Sequence, residues 1–166
     1  MIRKVVFNLK KIALLLAIGT SAFLVACGDK EEVTNLPDNA PTEQKTTNNN
    51  TSNTTTTTKE ASFNFTHFDL DVKYANNQSY EVSYENEATG AEAKIEDEVN
   101  NTVVQGNDAA NQLIPIFEGF TFDATTDDDV VIDQVLQKFN LPDNYLEVEI
   151  EVKFADGKER EYRRVK

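Results

Sequence analysis

Across residues 146–154, apolar and charged residues alternate without a break. Leu146, Val148, Ile150, Val152 and Phe154 are interleaved with Glu147, Glu149, Glu151 and Lys153. Strand side chains point to opposite faces with a period of two, so this stretch buries one side only. A helix would scatter the same residues around its whole circumference. The stretch therefore commits the chain to a sheet with one apolar and one charged face, and the apolar face must be covered. Asp156-Gly157 follows as a hairpin signal, and residues 159–165 return as its partner strand.

Two further segments carry the same period. Phe68, Leu70, Val72 and Tyr74 alternate with polar residues, as do Tyr80, Val82 and Tyr84. In the first, the alternation slips at Thr66-His67, which predicts a bulge or bend. Turns are expected at residues 75–78 and 86–90. Ala91, Ala93, Ile95 and Val99 form a weaker third strand, with a further turn at Asn100-Asn101 before Val103-Val104. From Asn107 the period becomes helical: Ala109, Ala110, Leu113, Ile114, Phe117 and Phe120, with Asn107 as N-cap and Pro115 kinking or shortening the helix. A second helix opens at Thr126 and presents Val131, Val135, Leu136 and Phe139. The expected fold is α+β: a mostly antiparallel sheet, order βββααββ, with two helices on one face. It occupies residues 62–166.

The N-terminal part is different. Residues 1–11 carry Arg3, Lys4, Lys10 and Lys11, and residues 12–26 are apolar or small. That is the layout of an export signal, and the apolar run is too short to span a bilayer comfortably. It ends in Leu24-Val25-Ala26-Cys27, which resembles a lipobox, the recognition sequence of the lipoprotein signal peptidase. Cys27, the only cysteine, stands where the lipid would be attached. Residues 1–26 are therefore expected to be a leader, with Cys27 the lipidated first residue of the mature chain on the outer face of the cytoplasmic membrane. Residues 27–61 are rich in Thr and Asn and poor in apolar residues. They are expected to form a disordered tether spanning roughly 30 Å.

The formal charge is −13, and all four N-terminal bases precede Cys27 with no acid among them, so the mature chain stands at −17. Such a surface repels nucleic acid and favours cations or basic partners.

Tyr80-Glu81-Val82-Ser83-Tyr84-Glu85, Val104-Gln105-Gly106-Asn107-Asp108-Ala109-Ala110 and the Val152-Lys153-Phe154-Ala155-Asp156-Gly157 hairpin resemble the YusW-like family of small bacterial domains, often found behind a lipoprotein signal and a polar tether. The resemblance covers residues 62–166. The family is functionally uncharacterised, so it brings no catalytic residues.

Three candidate sites stand out. Asp123, Asp127 and Asp129 fit some positions of a calcium loop. But Asp128 replaces the turn glycine and Gln134 the bidentate glutamate, and acids at a helix start already complement its dipole. His67, the only histidine, reads as a strand-surface residue rather than a base. Arg160, Tyr162 and Arg164, within the stripe from Lys158 to Lys166, form a basic run that could receive an anionic group or pair with its hairpin partner. A two-residue loop sets Arg164 opposite Glu149. A three-residue bulged loop sets Tyr162 beside Ile150. There is no Cys/His zinc cluster, nucleophile elbow or phosphate loop, and no cofactor is expected. The expected role is a lipid-anchored, non-enzymatic module that binds a protein or envelope component. The alternatives are an enzyme or accessory domain using Asp/Glu in a cleft, and weak divalent-cation binding.

Overall fold

The computed structural model describes residues 31–43 and 62–166. The leader, Cys27 with Leu24, Val25 and Ala26, and the Thr/Asn-rich residues 44–61 lie outside the described residues. The strands are β1 (Glu32–Val33), β2 (Phe65–Lys73), β3 (Ser79–Glu87), β4 (Gly90–Asp97), β5 (Thr102–Gln105), β6 (Glu147–Phe154) and β7 (Glu159–Val165). The helices are α1 (Gly106–Phe117) and α2 (Asp128–Lys138). All strands pair antiparallel in one sheet, ordered β1-β4-β3-β2-β6-β7, with β5 also pairing β4. Two helices pack on one face, as the alternation required.

The expected seven elements are present, and β1 and β5 join them end to end along β4. The alternation in β2, β3 and β6 sends Phe68, Leu70, Val72, Val82, Tyr84, Val148, Ile150 and Val152 beneath the helices. Leu113 and Phe117 of α1 and Val131, Ile132 and Val135 of α2 close over them. The β2–β6 register shifts between Phe65 and His67, at the slip in the sequence pattern. Ala155-Asp156-Gly157 forms the β6–β7 loop, with Gly157 at φ 83° and its N–H donating to Phe154 O. Tyr162 consequently lies opposite Ile150, and Arg164 opposite Val148. The bulged loop, not the two-residue one, sets the hairpin.

Both expected helix caps are displaced. Gln105, not Asn107, precedes α1, and the Asn107 side chain looks outward to another segment. Asp127, not Thr126, caps α2 and accepts from Asp129 N–H. Pro115 lies in the last turn of α1, two residues before its end. Its missing N–H leaves Asn111 O without the usual helical donor, and the helix ends within the same turn.

The largest correction concerns residues 31–43, expected within the tether. They form a strap docked on the domain. Val33 is buried, and Leu36 and Ala40 pack against the core. Asn107 Oδ1 accepts from Thr34 N at 2.7 Å and Asn35 N at 3.2 Å, and Asn35 Nδ2 donates to Asn111 Oδ1 at 2.6 Å. Asn86 Nδ2 donates to Pro41 O at 2.8 Å, and Asn86 O accepts from Glu43 N at 2.9 Å. Few apolar residues are needed because asparagines on the domain satisfy the strap's backbone. Gly106 makes room for it: at φ +62° an added Cβ would sit 2.7 Å from Glu31 Cβ.

Candidate functional site

Alternate residues of the strands point away from the helices, and no described element covers them. On this open face Glu161, Glu151 and Asp69 are direct neighbours across β7, β6 and β2, followed by Ser83 on β3. The next row carries Arg163, Glu149, Asp71, Glu81 and Glu96. Like charges directly opposite in a sheet are destabilising by a few tenths to about 1 kcal/mol each. Among the described residues, Glu151 and Glu161 make no ion pair, and burial pushes the Asp69 carboxyl up despite its hydrogen bond with Ser83.

A half-open groove of about 440 Å³ runs over this acidic row, lined among others by His67, Asp69, Glu151, Lys153 and Glu161. At its end three segments meet. The bulge in β2 places His67, whose side chain is 17% exposed, with Nε2 3.8 Å from Glu87 Oε1. The strap brings Glu43 alongside, ion-paired with Lys153. That hydrogen bond holds the Glu43 carboxyl below the usual range. One ligand atom each from Glu43, His67 and Glu87 lie within 4.8 Å of one another. His67 Nδ1 is 3.0 Å from Thr66 Oγ1, which is 3.4 Å from the Lys153 carbonyl.

The residues singled out from the sequence are used elsewhere. Asp123 Oδ1 accepts from Thr125 N at 2.7 Å, and Asp127 caps α2. Asp129 accepts from Arg164 Nη2 at 2.8 Å. These acids tie the start of α2 to its own backbone and to β7, and do not converge on a common point. The basic stripe is the other half of that clamp. Arg160 Nη1 donates to Ala124 O and its Nη2 to Asp128 Oδ1, both at 2.7 Å. Arg164 Nη1 donates to Asp133 Oδ1 at 2.7 Å, and Tyr162 is fully buried. Arg160, Tyr162 and Arg164 thus face inward and hold the helix instead of presenting an open surface, because the bulged loop turns their side of β7 toward α2.

The sequence did not disclose the meeting of Glu43, His67 and Glu87. The bulge signal at His67 was readable, but its partners come from 20 and 24 residues away along the chain. Among the described residues no helix is long and apolar enough to cross a membrane.

Comparison with known proteins places this geometry. The family described as "YusW-like protein" matches residues 66–156, from β2 to the β6–β7 loop. "Uncharacterized protein YusW" of Bacillus subtilis (strain 168) is 27% identical over 105 residues, which is 62% of this chain and 72% of that protein. No solved structure matches.

Proposed function

The chain belongs to the YusW-like family, and from that premise we propose that it is a non-enzymatic binding module of the cell envelope, lipid-anchored at Cys27, whose open acidic sheet face receives a basic protein surface. The observation that carries this reading is the row Glu161, Glu151 and Asp69, in which Glu151 and Glu161 make no ion pair among the described residues. A solvent-facing sheet surface is most stable with mixed charges or threonines. Carboxylates side by side on adjacent strands work against the fold, and a cationic partner would offset that cost. The groove is half open and the acids along it, Asp69, Glu151 and Glu161, stand in a row rather than converging in an enclosed cleft, which favours binding over catalysis.

The docked strap changes how such a module would sit. From Cys27 to Glu32, where pairing with β4 begins, the chain reaches at most about 18 Å, at roughly 3.6 Å per residue. Glu43, bonded to Asn86, and Ser62, bonded to Asn39, are both held on the domain, so residues 44–61 between them do not link it to Cys27. They add nothing to the distance from the lipid. A lipid on Cys27 would therefore hold the domain beside the membrane rather than far above it, and an anionic membrane would turn the acidic face outward.

The test is site-specific photo-crosslinking on intact cells. Probes at Glu81, Glu149 or Glu161 should give the same discrete adduct, weakened by raised salt and by Asp69→Asn with Glu151→Gln. Probes at Gln112 or Gln137, exposed on the helices, should give none. Adducts only from the helix probes, or adducts indifferent to charge, would overturn the reading.

A further inference from the structure

We propose that Glu43, His67 and Glu87 form a binding site for a borderline divalent cation of the zinc class, which fastens the strap to the sheet. The ligand set is one imidazole nitrogen and two carboxylates, a chemistry that suits zinc and leaves the fourth position to water. All three ligand atoms lie within 4.8 Å of one another. That triangle is slightly wide for zinc bond lengths near 2.0–2.1 Å, and closing it asks each side chain to move by under about 1 Å.

A second observation points the imidazole at this spot. The Thr66 hydroxyl has one proton. Donated to the Lys153 carbonyl, it leaves Thr66 Oγ1 to accept Nδ1–H of His67. In that tautomer Nε2 turns its lone pair toward Glu43 and Glu87, and among the described residues the one cation facing these three acceptors is the ammonium of Lys153 on Glu43. A cation resolves that arrangement, and an outward partner on Nδ1 is how metal-binding histidines are usually oriented. The bulge that creates the geometry is a device found where a side chain is re-aimed. Lys153 is the internal competitor: its ammonium now pairs with Glu43 and must share that carboxylate.

The inference stands apart from the partner reading, because it concerns one end of the groove and needs no protein ligand. The experiment is a zinc titration by calorimetry, on the full chain carrying Cys27→Ser to remove the one thiol. The ¹⁵N shifts of the single imidazole are followed in parallel. One equivalent should bind, with Nε2 shifting as the metallated nitrogen. His67→Gln should weaken binding at least tenfold, Glu87→Gln several-fold, and Lys153→Met should tighten it. Calcium should bind at least tenfold more weakly, since a hard cation gains little from imidazole. Absence of a saturable site would overturn the proposal. So would zinc binding unchanged in His67→Gln, which assigns the metal to the general acidic surface, or calcium binding as tightly as zinc. Circular dichroism of each variant, unchanged from the parent, separates loss of ligand from loss of fold.

Discussion

One face of the sheet is packed with rings and aliphatic chains beneath two helices, while the other carries carboxylates on neighbouring strands with no described element above them. The same strands build both, so the contrast is between what the period of two buries and what it leaves to solvent. On the covered face Phe117 is the hub. Its ring lies 5.0 Å from Phe65, 5.2 Å from Phe68 and 5.2 Å from Tyr84. These contacts favour the fold through burial and edge-on aromatic packing. On the open face Asp69, Glu151 and Glu161 stand side by side on adjacent strands, an arrangement that disfavours folding when like charges meet. A domain of this size has little stability to spare, so a face that works against folding calls for a reason outside folding.

The covered face is the place to break the contrast most severely. Phe117→Ala empties a fully buried position between α1 and β2 and should cost about 3–5 kcal/mol, read as a lower urea midpoint.

The strap comes next. Asn107→Ala removes the acceptor of two backbone N–H groups, and should cost about 1–2 kcal/mol. Hydrogen exchange should show residues 33–36 losing protection while the β6–β7 hairpin keeps it.

A smaller effect appears in alkali. Burial pushes the Tyr84 phenol up to about 12, with nearby Asn86 opposing. Its folded value lies above its unfolded one, so its contribution is complete below pH 10 and lost as pH rises toward 12. By pH 11 the protein should have lost about 1 kcal/mol on this account, and Tyr84→Phe should flatten that loss.

The two faces were not equally legible. Alternation in residues 146–154 announced one buried side, and the helical spacing of Leu113 and Phe117 announced its cover. The slip at Thr66-His67 marked the bulge. These are local signals, written in consecutive residues. The strap was not legible, because residues 31–43 look like any polar tether. What docks them is a set of amide acceptors and donors on Asn107, Asn111 and Asn86, far away in the chain. The stripe from Lys158 to Lys166 was legible as one face of a strand. Which way that face looked depended on a single residue of loop length, and that put Tyr162 inside and the arginines on α2. The joining of Glu43 to His67 and Glu87 depends on the strap and was hidden with it.

The central claim is that the open face is kept acidic at the expense of stability, and unfolding in urea tests it most directly. Asp69→Asn, Glu151→Gln and Glu161→Gln combined remove the charge of one row without touching the core. The account predicts a triple variant more stable than the parent by up to about 1 kcal/mol in low salt, with the gap closing as salt is raised. A triple variant equally or less stable at low salt would mean the row contributes to the fold, and would contradict the account.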